Sequence, residues 1–267
     1  MTIVFVTADK IEPTGRLIDA RFDMANVELG KALYEEGHVE GAVFWDLNTD
    51  LSDLTKGEGR HPLPDKEKLQ ALFEKHGLHL DDAIYVYDQG ASPYATRAWW
   101  ILNYAGFKHA YVVNGGFQAL KDVGLPITTE VPTFPKTNLQ LQWNDEILLK
   151  RQDIVNIVEG KTKATLLDAR SAARYNGEYE PFDKLAGHIP TAQNYDWEQL
   201  REGSNLVITS SLLDKVSKDE DIVVYCGSGV TATPIYTVLK EAGYKNVQIY
   251  MAGYSDWVNH HPVATSN

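Results

Sequence analysis

Thiols are almost absent from this chain, which has one cysteine, Cys226, in 267 residues. An internal disulfide is excluded, a thiolate metal cluster is disfavoured, and a reducing compartment suits such a composition. The N-terminus, MTIVFVTADK, has no basic n-region and no long apolar stretch, so no signal peptide is expected. No run of about 18 apolar residues occurs, so no membrane span is expected. Cations are in deficit, with 25 Lys and Arg against 37 Asp and Glu and a net charge of -12. That balance disfavours nucleic acid as a bulk partner. It leaves room for a local basic pocket that takes a small anion. Together these absences make a cytoplasmic location the expectation.

The chain repeats itself. LIDARFDMANVELGKALYEEGHVEGAVFWDL begins at Leu17, and LLDARSAARYNGEYEPFDKLAGHIPTAQNYDW begins at Leu166. Asp19 and Arg21 match Asp168 and Arg170, while His38 and Asp46 match His188 and Asp196. Further on, AIYVYDQG at 83 matches DIVVYCGSG at 221, and NYAGFKHAYVVNGGF matches KEAGYKNVQIYMAGY. A repeating unit of roughly 120 residues is far too long for a solenoid and implies two tandem domains. The stretch 125–143, LPITTEVPTFPKTNLQLQW, is rich in proline and threonine and reads as an extended linker. The expected division is therefore 1–124, a linker at 125–143, and 144–267.

Within each unit, short apolar runs alternate with helical patterns. ATLLDAR, DIVVYC and NVQIYMAGY read as strands, and TATPIYTVLKEAGY reads as a helix. Thr231 or Thr233 can cap that helix, Pro234 fits its first turn and Gly243 can end it. Such alternation predicts an α/β fold, with a parallel sheet covered by helices on both faces of each domain.

Cys226 sits where a strand gives way to a helix, in IVVYCGSGVTATP. Ligands of parallel sheets gather beyond the carboxyl ends of the strands. Gly227 and Gly229 let the backbone curl so that N–H groups point inward. A nest of N–H groups at a helix start binds an anion and favours a thiolate over a thiol. A cysteine protease needs a histidine base within reach, and none lies near in sequence, which leaves a distant one open. A cysteine phosphatase needs an arginine six residues after the nucleophile to hold phosphoryl oxygens, and Ala232 stands there. An anionic covalent intermediate held by N–H groups remains, and a persulfide, Cys–S–S⁻, answers that description.

With CGSGVTA at 226–232, GHIPTAQN at 187–194, the DAR of each half, GRHPLP at 59–64 and the AGY-x-DW ending at 252–257, the chain resembles the tandem-domain rhodanese-type sulfurtransferases over nearly its whole length. The resemblance implies two similar α/β domains with the site between them. It also implies a catalytic cysteine, Cys226, in the second alone. The first-half counterpart of Cys226 is Asp88, which cannot carry sulfane sulfur, so the first domain becomes a non-catalytic wall. The implied activity is transfer of sulfur from thiosulfate or 3-mercaptopyruvate to a thiophilic acceptor such as cyanide, a dithiol or thioredoxin. No metal or organic cofactor is implied. The competing reading is a non-enzymatic sulfur-sensing or protein-binding module.

Residue roles follow from the same resemblance. Arg174 faces the cysteine and holds the donor's anionic end. Gly227, Gly229, Val230 and Thr231 form the cradle. The neutral loop is of the mercaptopyruvate type, in which Ser228 either relays a proton to or from the substrate sulfur or only shapes the loop. His61 of GRHPLP and an upstream acid accompany that serine in mercaptopyruvate-type relatives. Here Asn48 stands about where the acid is expected, with Asp50 as a substitute, and a structural His61 is the competing reading. A second arginine that such relatives tend to carry before GHIP is missing, and NGEYEPFDKLA offers only Lys184. Arg60 is a further candidate for donor binding. His38, His188, Arg21 and Arg170 recur in both halves and read as structural, and Arg97 in TRAWW could face the interface without a role in the chemistry.

Overall fold

The runs IYVY (Ile84–Tyr87) and IVVY (Ile222–Tyr225) are buried at all four positions. A strand buried on both faces must lie inside a sheet with layers above and below it. Each run is the centre of a five-stranded parallel sheet. The first sheet has the order Phe5–Val6, Ala110–Val113, Ile84–Tyr87, Arg16–Asp19 and Val43–Phe44. The second has the order Leu148–Leu149, Val247–Tyr250, Ile222–Tyr225, Thr165–Asp168 and Gln193–Asn194. Every neighbouring pair in both sheets is parallel. The two halves thus share one topology, and the α/β expectation of two tandem parallel-sheet domains holds. This structure, a computed structural model, describes residues 2–266.

The repeated motifs hold equivalent places. Each DAR aspartate ends a strand and binds its own arginine, Arg21 to Asp19 at 2.6 Å and Arg170 to Asp168 at 2.5 Å. His38 stacks on Tyr34 and bonds its carbonyl, and His188 does the same with Tyr175. Their structural reading stands on these contacts. The stretch 125–143 is extended but docked. Ile127–Thr128 pairs with His38–Val39, and Glu74 accepts the Leu139 N–H at 3.1 Å.

Facing helices join the halves. Pro93–Tyr104 packs against Ala232–Glu241, and the Thr96 and Thr233 hydroxyls meet at 2.8 Å. Asn114 exchanges two hydrogen bonds with the Leu206 backbone, and Glu241 accepts the Val4 N–H at 2.6 Å. Cys226 lies at the end of its sheet's central strand, on the side that faces the first domain. In the described residues no helix is long and apolar enough to cross a membrane.

Candidate active site

The loop after Cys226 is held by its carbonyls. The Cys226 and Gly227 carbonyls accept the N–H groups of Tyr254 and Ser255, at 2.8 and 2.9 Å, from the start of helix Gly253–Trp257. The Gly229 carbonyl accepts from Arg97 Nη1 at 3.1 Å. The Val230 carbonyl accepts the Thr233 hydroxyl at 2.8 Å. With these carbonyls tied outward, the Gly229 N–H turns in and meets Cys226 Sγ at 3.1 Å. Gly229 has φ +76°, and a Cβ there would collide with the Met251 carbonyl, so only glycine lets the turn close. Of the expected N–H cradle, this bond is the one the structure forms to sulfur. Val230 is buried, and Thr231 stands before helix Ala232–Glu241. The capping expectation is corrected: Thr231 makes no side-chain cap, and Thr233 turns to Val230 and Thr96 instead. Pro234 does lie in the first turn.

The first domain repeats this device with a carboxylate. Asp88 ends strand Ile84–Tyr87, and its oxygens accept the N–H groups of Gly90 at 2.8 Å and Ala95 at 3.0 Å. Its carbonyl accepts the Phe117 N–H at 2.8 Å, as that of Cys226 accepts Tyr254. Burial raises the Asp88 carboxyl to about 6, against the N–H bonds that favour its charge. The strand-end loop of this fold therefore does hold an anionic group.

Ser228 and His61 meet across the domain boundary, Oγ to Nδ1 at 2.8 Å. Segment 59–61 presses against the second domain, with the Arg60 N–H donating to Ser255 Oγ at 3.1 Å. His61 is pushed down to about 4, first by burial and then by the charges of Arg97 and Arg60. At neutral pH the ring is uncharged and can take the Ser228 hydroxyl proton on Nδ1. The expected third member is absent from the arrangement. Asp50 accepts the Asp46 N–H at 2.9 Å, and the Asn48 N–H goes to Asp46. Neither side chain bonds His61, because the loop 46–53 folds on itself. The structure forms a pair where a three-residue relay was a possibility in the sequence.

Two guanidiniums stand over the loop. A Cβ on Gly227 would strike Arg60 Nη2 and lie 3.4 Å from Arg174 Nη2. Arg174 is held by Glu180 through Nε at 2.9 Å and Nη2 at 2.8 Å. Arg60 pairs with Asp183. Lys184 is exposed and takes no part in this cluster. Cys226 itself is 1 % exposed.

Arg97 faces the domain interface, as the sequence allowed. Its side chain, 0 % exposed, donates to the carbonyls of Leu51 at 2.9 Å, His61 at 3.0 Å and Gly229 at 3.1 Å, and it reaches Met251 Sδ at 2.9 Å. No carboxylate is among its partners. Burial lowers it to about 10, with Cys226 acting the other way, so it stays charged at neutral pH. The signal was available in the sequence: an arginine inside ATRAWWIL lies on a helix too apolar to face water.

The fold and this loop define a protein of two rhodanese-like domains. The sequence profile of the rhodanese-like domain matches residues 7–122 and again 150–260. A Pseudomonas aeruginosa protein named "Probable 3-mercaptopyruvate sulfurtransferase" is 34% identical over 274 residues, 96% of this chain and 94% of that one. The Escherichia coli 3-mercaptopyruvate sulfurtransferase is 34% identical over 272 residues, 96% and 95% of the two chains. The structure of 3-mercaptopyruvate sulfurtransferase from Leishmania major superposes with a TM-score of 0.82 at 28% identity, over 96% of this chain and 74% of that one. The chain belongs to the tandem rhodanese-type sulfurtransferase family, and it is an enzyme of that class rather than a binding module.

The buried neutral His61 gives a pH signature. The unfolded chain takes up this proton near 6.5 and the folded protein only near 4. The stabilisation is therefore whole above about 6.5 and is lost as pH falls from there toward 4. Between pH 7 and pH 5, His61 accounts for about 2 kcal/mol of lost unfolding free energy. Urea titrations at the two pH values will show a loss smaller by that amount in His61→Asn, and equal losses would contradict the assignment.

Proposed function

We propose that the protein moves a sulfane sulfur through a persulfide on Cys226, with 3-mercaptopyruvate as the favoured donor. The observation that carries this is the Gly229 N–H aimed at Cys226 Sγ at 3.1 Å, in a loop whose first-domain counterpart cradles a carboxylate. The Cys226 thiolate attacks the thiol sulfur of 3-mercaptopyruvate. The new S–S bond forms as the C–S bond breaks, and its electrons pass to the pyruvate enolate. The donor's thiol proton travels by way of Ser228, with His61 as its partner, to the enolate carbon and releases pyruvate. A thiophilic acceptor then takes the outer sulfur and restores the thiolate. Cyanide leaves as thiocyanate, whereas a dithiol or thioredoxin-like partner leaves as a disulfide with hydrogen sulfide. No metal or organic cofactor enters this scheme, and the lone thiol suits work in the cytoplasm.

The Ser228–His61 contact favours mercaptopyruvate over thiosulfate. Thiosulfate brings no thiol proton: attack on its outer sulfur expels sulfite directly, and no relay is required. Proton transfer by a positioned side chain is worth about 10²- to 10⁴-fold. Ser228→Ala is therefore expected to lower kcat with mercaptopyruvate by about 100-fold and with thiosulfate by less than about tenfold. Equal losses with both donors would remove the relay. The intermediate itself is read by intact mass after either donor, where the protein gains about 32 Da on persulfidation. Cys226→Ser gains nothing, and a gain in that variant would overturn the mechanism.

A further inference from the structure

The two guanidiniums over Gly227 come from different domains, and their partners differ in kind. Glu180 is built in. It takes two hydrogen bonds from Arg174 and one from Arg170 at 3.2 Å, and it accepts the Phe182 and Asp183 N–H groups at 3.0 and 3.3 Å. Asp183 is held on one side only. Its Oδ1 pairs with Arg60, while its Oδ2 lies 3.6 Å from Arg174 Nη2, buried and without a hydrogen bond. A buried carboxylate oxygen without a donor is unfavourable. Asp183 rides on a segment whose neighbour Phe182 is 65% exposed. The Phe182 ring lies 5.3 Å from the Arg60 guanidinium and 5.2 Å from that of Arg174.

We propose that Arg60 and Arg174 form a two-domain seat for the anionic end of the sulfur donor, and that Asp183 occupies this seat as a built-in competitor. The proposal rests on the sulfurtransferase reading above and adds to it a residue from the first domain and a regulator from the second. The charges argue for exchange rather than addition. Arg60, Arg170 and Arg174 are matched by Asp183, Asp168 and Glu180, so an incoming anion meets a neutral cluster. It gains a charge-assisted pair only when one carboxylate withdraws, and Asp183 is the one with an unsatisfied oxygen and an exposed carrier segment. The donor's carboxylate or sulfonate offers several acceptor oxygens to two planar guanidiniums, where Asp183 leaves one oxygen unused. Donor selectivity then depends on how well an anion displaces an internal aspartate, and weakly binding anions are held out.

Alkylation of Cys226 reads the seat without any sulfur donor. Iodoacetate and iodoacetamide share the reacting CH₂–I group and differ by one negative charge, so the ratio of their rates isolates the seat from thiol reactivity. Asp183→Asn is expected to raise the iodoacetate-to-iodoacetamide ratio by roughly 3- to 10-fold, and Arg60→Gln to lower it by a similar factor. Asp183→Asn preserves side-chain shape and decides the matter if Arg60→Gln fails to fold. A ratio for Asp183→Asn at or below the wild-type value would overturn the proposal. Persulfide loading of the wild-type protein, measured by mass on the same preparation, separates the two claims. Loading with an unmoved ratio refutes the seat alone. A shifted ratio without loading supports the seat and refutes the sulfur-transfer reading.

Discussion

The site depends on one buried cation. Arg97 comes from the first domain's helix Pro93–Tyr104, and its two Nη groups donate to backbone carbonyls, the Ser52 hydroxyl and Met251 sulfur around the domain boundary, while its Nε is buried without a partner. Burying a guanidinium without a carboxylate is costly, and it is tolerated where the planar fork is met by fixed acceptors. Those acceptors are the pieces the chemistry needs. The Gly229 carbonyl belongs to the turn whose N–H meets Cys226 Sγ. The His61 carbonyl belongs to the residue whose ring meets Ser228. The Leu51 carbonyl lies within the loop 46–53. A single side chain therefore holds the Cys226 loop and the His61 segment in register.

This explains what a domain without a nucleophile contributes. The two halves share a topology, the Asp–Arg pair at the DAR motif and a strand-end loop tied down by a following helix. They differ in what the loop presents. Asp88 fills its own cradle with a carboxylate, whereas Cys226 presents a thiol sulfur to the Gly229 N–H. The first domain also brings Arg97, His61 and Arg60 to the second domain's loop.

Much of this was legible in the sequence. The duplication, the parallel sheets and the position of Cys226 follow from local patterns: apolar strand runs, a glycine turn and a helix start. A Ser228–His61 contact was open in the sequence as one alternative, beside a structural His61, because both residues sit in recognisable motifs. The partners of those motifs were not legible where they depend on tertiary closure. Asn48 stands about where the acid of a relay is expected and Asp50 would serve only if the loop shifted, yet the loop 46–53 closes on Asp46 instead. Thr231 and Thr233 have the chemistry of a cap, but the domain interface claims Thr233. Arg97 and the Arg60–Asp183 pair join residues about 120 or more positions apart across two domains, which no local spacing encodes.

The claim that one guanidinium makes the second domain's loop competent is tested most directly in Arg97→Lys. Lysine keeps the buried charge and loses the fork, so it cannot hold the carbonyls of Leu51, His61 and Gly229 together. The measurement is the rate at which Cys226 gains sulfur from 3-mercaptopyruvate, followed by intact mass in a variant whose near-UV circular dichroism matches the wild type. The account predicts loading slower by about tenfold or more. Loading at the wild-type rate in the folded variant would contradict it.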